Sequence, residues 1–448
     1  MLDTVIRDVQ LLSAKGWERC DIAIEAGVIV AIAESVLDSS RAEVCAEGAY
    51  MLPGAVDLHV HFNEPGRTHW EGFETGSAAA AAGGVTYLAE MPLNSIPSTV
   101  SVDALHSKLA TVSSKSYVDF GLWGGVVPGN FEDLRPLAEA GVMGFKAFMS
   151  PSGTDDFINS DTATLKEAMK QIAPTGLRLA LHAEDPAVLD RASQNQAQQV
   201  SAYDWEASRP VESEISAVKI ALELAGETGC PITIVHVSSV EVLEVILEAK
   251  ARGVAVVAET CPHYLLLSTE DADRIGADAK CAPPLRSVQT VKALHAALLE
   301  GQIDTIGSDH SPSSPELKEG KSFYDAWGGI AGLQHGYALL LDRFELSNAV
   351  HMSRLQEACS ARPAQLVGLQ SKGILKTGMD ADFSLFQKMS EPCRIKASSL
   401  LTRHSRSAYV DSSTGIEVVG TWLRGQCVVY EGRLASKPLG QFISHVRS

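Results

Sequence analysis

Two histidines, His59 and His61, stand two apart in an apolar run that begins at Ala55 and stops at the turn signal Asn63-Glu64-Pro65-Gly66. Successive side chains of a strand alternate faces, so the two imidazoles share one face and form a chelating pair. The turn puts them at the strand's carboxyl end, the edge at which parallel α/β folds carry ligands. Alone, the pair fits two histidines on a half-buried strand equally well. Four further candidates recur at predicted strand ends: Lys146 within 142–149, His182 closing 177–182, His236 closing 232–236, and Asp309 just after 303–308.

Lys146 is flanked by Phe145, Ala147, Phe148 and Met149, where an unpaired ammonium is costly to bury. Burial lowers the pKa of a lysine, and the neutral amine adds carbon dioxide to give an anionic carbamate that bridges two cations. Four imidazoles, one carboxylate and such a bridge suit a borderline divalent ion, with zinc the default and cobalt, manganese, nickel or iron as alternatives. Two such ions sit ~3.5–4 Å apart and share a hydroxide. The set points to amide hydrolysis: a metal polarises the carbonyl, the bridging hydroxide attacks, and Asp309 shuttles the proton to the leaving nitrogen.

Converging these residues requires several strands that end at one place. Short apolar strands are predicted at 55–60, 85–90, 118–125, 142–148, 177–182, 232–237, 254–259 and 303–308. Between them fall amphipathic helices at 71–82, 101–113, 131–140, 161–172, 211–226, 240–251 and 288–299. Eight β/α units predict an α/β fold of the (β/α)8 TIM-barrel type, with a doubly wound sheet as the alternative. Residues 1–50 read as hairpin-forming strands, and the pattern returns to strands at 378–386, 416–419, 422–424 and 426–430. The expected organisation is therefore a small β domain from 1–50 and 375–448, with a catalytic barrel, 51–374, inserted between its halves.

The 448 residues, 45% of them hydrophobic, are enough for one large and one small domain. A formal charge of −18 argues against nucleic acid or an anionic membrane as the main partner, which leaves small neutral substrates. Eight cysteines without a CxxC pair, and no signal-like amino terminus, predict a reduced cytoplasmic protein without disulfides.

Taken together, the motifs resemble the cyclic amidohydrolases of the amidohydrolase superfamily over essentially the whole chain. They are the HxH strand, Gly144-Phe-Lys146-Ala-Phe148, His182, His236, Thr260-Cys-Pro-His263-Tyr264, Gly307-Ser-Asp309-His-Ser-Pro312, and Gly373-Ile-Leu-Lys-Thr-Gly-Met-Asp380-Ala-Asp382. The resemblance implies a (β/α)8 barrel with a small β-sandwich from both chain ends, a binuclear metal centre and a carboxylated Lys146. By analogy His59, His61 and Asp309 hold one metal, His182 and His236 the other, and Lys146 bridges them. It also implies a homo-oligomer, with a tetramer favoured.

Two positions bear on the substrate. Dihydroorotases resemble this chain but usually carry Arg two residues after the second histidine and Asn directly after Met-Pro; here those positions are Asn63 and Leu93, with Asn94 one place later. A fixed cation for an anionic substrate is missing there, with Arg67 and Arg286 as possible substitutes. The strings 63–73, 91–97 and 327–331 resemble instead the family members that open allantoin, a neutral ureido-hydantoin, to allantoate. Such a ring needs hydrogen bonds rather than an ion pair, from Asn94 and the main chain near Ala282 and Gly329. The alternatives are a hydantoinase or dihydropyrimidinase, a dihydroorotase, or a metal-free scaffold relative. Cys261 and His263, two apart at an expected strand end, are read as supporting or packing residues rather than ligands, and His310 as a residue that orients Asp309.

Overall fold

The computed structural model describes residues 1–194 and 200–445. The amino-terminal segment forms β1 (Leu2–Ser13), β2 (Gly16–Glu25), β3 (Val28–Ala33), β4 (Ser40–Cys45) and β5 (Tyr50–Pro53). The chain then enters the barrel at β6 (Ala55–Val60), followed by β7 (Val85–Glu90), β8 (Asp119–Leu122), β9 (Gly124–Gly125), β10 (Phe145–Phe148), β11 (Leu179–His182), β12 (Ile232–Ile234), β13 (Val256–Thr260) and β14 (Thr305–Ile306). It leaves through β15 (Phe383–Arg394), β16 (Ser413–Leu423), β17 (Gln426–Tyr430) and β18 (Arg433–Leu434).

Strands β6, β7 and β8 pair in parallel in that order, as do β9 to β14. Strands β8 and β9 make one staircase broken at Trp123, whose indole Nε1 donates to Leu58 O at 2.9 Å. The ring closes where Val60 bridges His310 and the His61 N–H donates to His310 O at 2.7 Å. This is a (β/α)8 barrel. The intervening helices lie where periodicity put them, at Phe73–Ala82, Val102–Val112, Phe131–Glu139, Thr162–Ile172, Val211–Thr228, Val240–Ala251 and Val288–Leu299. Ser101, Asp161 and Ser287 cap three of them by accepting a backbone N–H of the first turn.

Both chain ends share one nine-stranded sheet, ordered β18-β17-β16-β15-β5-β1-β2-β3 with β4 on β1. It closes over a core of Ile6, Val9, Ile22, Met51, Phe383 and Trp422, the last two stacked with centroids 5.0 Å apart. The segments expected as separate strands at 416–419 and 422–424 run together in β16, because Gly420 pairs with Tyr430 and Thr421 with Val429.

A buried charge cluster ties this sheet to the barrel. Lys372, 7% exposed, lies 2.9 Å from Asp119 at the start of β8, 3.1 Å from Asp380 and 2.5 Å from Asp382 before β15. Arg424 also pairs with Asp119. Removing the central cation leaves Asp382 buried without its counter-charge and Asp119 with Arg424 alone, so Lys372→Met is expected to cost about 3–5 kcal/mol. Denaturant unfolding measures it; a loss within experimental error would mean that Arg424 alone suffices.

Candidate metal centre

A cavity of about 310 Å³ opens at the carboxyl end of the barrel, and His59, His61, Lys146, His182, His236 and Asp309 all line it. His59 is the fifth residue of β6 and His61 lies one past its end, which gives the period-two pair a common face. Lys146 points in from β10 and His182 ends β11. His236 lies two residues beyond β12 rather than closing it, and Asp309 follows β14 as expected, three residues past its end. Both have left-handed backbone, φ 44° and 45°, a conformation that costs about 1–3 kcal/mol in a non-glycine residue and persists where the surroundings impose it.

The imidazole Nε2 atoms of His59 and His61 each lie 3.3 Å from Asp309 Oδ1, and the three ligand atoms fall within 4.8 Å of one another, a group suited to a metal ion. Opposite them, His182 Nδ1 and His236 Nε2 face each other at 3.0 Å. The His59 and His236 rings, 5.7 Å apart, join the two halves. Lys146 is fully buried, 5.0 Å from the Phe148 ring centroid, and its Nζ has no hydrogen-bond partner among the described residues.

Burial sets the protonation of this cluster. It pushes His59 and His61 down to about 4, so both are neutral, the form that ligates. Burial raises Asp309, but His59, His61 and His236 outweigh it and hold the carboxyl well below its ordinary range. Burial also lowers Lys146 to about 8, which makes its neutral amine accessible near neutral pH.

Residues 50–428 match the model of the amidohydrolase family. The chain belongs to the amidohydrolase family. It is 44% identical to the allantoinase of Rubrobacter xylanophilus, over 96% of this chain and 94% of that one. It is 42% identical to the allantoinase of Bacillus velezensis, over 98% and 97%. Among solved structures, the L-hydantoinase (dihydropyrimidinase) of Arthrobacter aurescens superposes with a TM-score of 0.95 at 32% identity, covering 99% of this chain and all of that one.

As a member of the amidohydrolase family, the chain is a metal-dependent cyclic amidohydrolase, and the family implies divalent metal ions. The donors fit that chemistry: neutral imidazoles, an ionised carboxylate and a buried amine without a hydrogen-bond partner among the described residues. Among the described residues no helix is long and apolar enough to cross a membrane.

Asn94, Ala282 and Gly329 line the same cavity. Asn94 is left-handed at φ 66°, and its carbonyl accepts from Arg67 at 2.9 Å. The Gly329 N–H donates to Lys280 O at 2.7 Å, so a substrate contact there falls to its carbonyl, which also accepts from Lys318 at 2.8 Å. At this glycine, φ 120°, an added Cβ would stand 2.0 Å from Ser311 O.

Neither arginine weighed from the sequence as a carboxylate clamp lines the cavity. Arg67 forks onto Asp156 at 2.8 and 3.1 Å, and Arg286 is buried against Glu214 at 2.8 Å. Two cations that sequence reasoning passed over do line it, Arg209 and Lys280, alongside Trp205 and Trp327. Both are spent on the protein: Arg209 pairs with Glu184, and Lys280 Nζ donates to Ala326 O at 2.7 Å and lies 4.0 Å from the Trp205 centroid. The period-two string His182-Ala-Glu184 was the available signal for Glu184; Arg209 and Lys280 carry none.

Cys261 and His263 do not share a strand end, because β13 stops at Thr260 and Pro262–Leu266 is a helix that Cys261 precedes. A proline at the first helical position is pre-set for that turn. Burial holds the Cys261 thiol well above its usual pKa, so no thiolate is offered. His310 turns away from the centre: its Nδ1 accepts from the Leu333 N–H at 3.4 Å and its Nε2 lies 3.6 Å from Glu71. All eight cysteines are free.

Proposed function

We propose that the chain hydrolyses the ring amide of allantoin, giving allantoate, at a binuclear centre held by His59, His61 and Asp309 on one side and His182 and His236 on the other, with a carboxylated Lys146 between them. The observation that carries this reading is Lys146, an amine buried without a hydrogen-bond partner among the described residues, in the cavity that both ligand clusters line. The neutral amine would add carbon dioxide and release one proton, which would replace the unfavourable buried amine with an anionic carbamate able to ligate metal. Zinc is the default metal.

When bound, the metals supply a Lewis acid for the ring carbonyl and an activated water. The remaining work falls to the chain. The four histidines stay neutral and hold their donors in place. Asp309 stays ionised, takes the proton released by the attacking water and passes it to the ring nitrogen as the amide bond breaks. Asn94, with the main chain near Ala282 and Gly329, orients the ring. Trp205 and Trp327 restrict water at the wall.

A neutral ring is favoured because Arg209 is paired with Glu184, Lys280 donates to a main-chain carbonyl beside Trp205, and neither Arg67 nor Arg286 lines the cavity. The 42–44% identity to allantoinases favours allantoin among neutral rings. Hydantoin opening is the second reading, supported by the superposition on L-hydantoinase. The same reading carries the domain limits 1–50, 51–374 and 375–448, of which 446–448 lie outside the described residues, and a cytoplasmic homotetramer in purine-ureide degradation.

Metal-replete enzyme assayed on allantoin, hydantoin, dihydrouracil and dihydroorotate is expected to prefer allantoin by about 10²-fold or more in kcat/KM. A preference for hydantoin would select the second reading, and a preference for dihydroorotate would overturn the neutral-ring reading.

A further inference from the structure

Two buried carboxylates stand directly behind the candidate ligands. Glu259, in β13, places Oε1 2.8 Å from His59 Nδ1, and Glu184 places Oε2 2.7 Å from His182 Nε2. Each contact uses the ring nitrogen facing away from the centre, leaving His59 Nε2 toward Asp309 and His182 Nδ1 toward His236. The pattern is symmetric: among the described residues, the Nδ1 atoms of His61 and His236 have no hydrogen-bond partner. Each half of the centre thus has one anchored and one unanchored imidazole. The His59–Glu259 contact also depends on close packing, since a Cβ on Gly307 would stand 2.9 Å from His59 Cβ and 3.0 Å from Glu259 Cδ.

Glu184 is itself held by a forked guanidinium, with Arg209 Nε at 3.0 Å and Nη2 at 2.5 Å. The Arg209 carbonyl accepts from Arg286 at 2.8 Å, and Arg286 Nε donates at 3.1 Å to Ser238, two residues past His236. The network that begins at His182 therefore returns to the loop that bears His236. A carboxylate behind an imidazole fixes its tautomer and ring angle and strengthens the opposite nitrogen as a ligand.

We propose that Glu259 and the Glu184–Arg209 pair are positioning residues, one for each half of the metal centre, and that Arg209, although it lines the cavity, acts through His182 rather than on the substrate. This rests on the binuclear reading above, and the test separates the two.

Holoenzyme is loaded with zinc alone, its metal content is measured, and loss of metal to a chelator is followed beside melting temperature, kcat and KM. Wild type is expected to hold about two metals per chain. Glu259→Gln and Glu184→Gln are each expected to weaken retention of one metal by about 10–100-fold while keeping the other, and the double variant to weaken both. Arg209→Leu should reproduce Glu184→Gln and add nothing to it, because the two act on one path. Arg209→Lys, which keeps the charge, should restore retention, which a merely structural role for the fork would not do. Should Glu184→Gln fail to fold, the Arg209→Lys and Arg209→Leu pair decides alone.

If wild type holds two metals and the glutamate variants retain both as firmly, the proposal is overturned. An Arg209→Leu enzyme that keeps both metals but has a raised KM would make Arg209 a substrate contact. A wild-type enzyme that binds no metal would overturn the binuclear reading itself.

Discussion

Lys146→Ala is expected to lower bound metal from about two ions per chain to one or fewer and turnover by at least about 10³-fold, the several kcal/mol that metal polarisation of a carbonyl contributes. The wild-type amine is fully buried, has no hydrogen-bond partner among the described residues and lies 5.0 Å from the Phe148 ring centroid. A structural lysine in such a place would be paired, as Lys108 is with Glu90 and Lys372 with its aspartates. Truncation removes the amine that the proposed carbamate bridge requires between the His59–His61–Asp309 cluster and the His182–His236 pair. Formate, acetate or propionate added to the variant should recover part of both metal content and activity by occupying the vacated space. The melting temperature of the metal-free variant controls for a general loss of fold. Full activity or undiminished metal content in Lys146→Ala would sink the carbamate assignment.

Asp309→Asn is expected to reduce kcat by about 10²-fold or more with a much smaller change in KM, the scale of a general acid–base contribution. The substitution isolates charge from shape. Asparagine is nearly isosteric and tolerates left-handed backbone well, so the φ of 45° at this position is kept at little cost. What disappears is the ionised acceptor 3.3 Å from both His59 and His61. Metal is expected to be retained more weakly, because one anionic ligand becomes neutral. A turnover close to wild type at saturating metal would remove Asp309 from proton transfer and leave it a ligand only.

The parts of this protein legible in its sequence are those governed by local periodicity. The HxH pair declared a face because strand geometry repeats every two residues, and β6 and β7 fall at 55–60 and 85–90 as their apolar runs require. Where a local rule was overridden, the reading slipped. Only Thr305–Ile306 of the expected strand at 303–308 pairs regularly, since the chain kinks at Asp309 to turn its carboxylate inward. Cys261 and His263 read as alternating strand residues, but Pro262 starts a helix there.

By itself the sequence carried the eightfold β/α order, through periodicity, and the joining of both chain ends in one β domain, through their shared strand texture, and it offered six candidate donors at or near strand ends. Only the tertiary structure decided what surrounds those donors. Glu259 meets His59 across 200 residues, and Arg209 reaches Glu184 across 25. It also decided where the cations go: Arg67 and Arg286 are engaged elsewhere, Arg209 reaches the cavity paired with Glu184, and Lys280 reaches it bound to main-chain carbonyls. The physical reason is that pairing and burial depend on distances in space, which the closing of the barrel sets and no local pattern encodes.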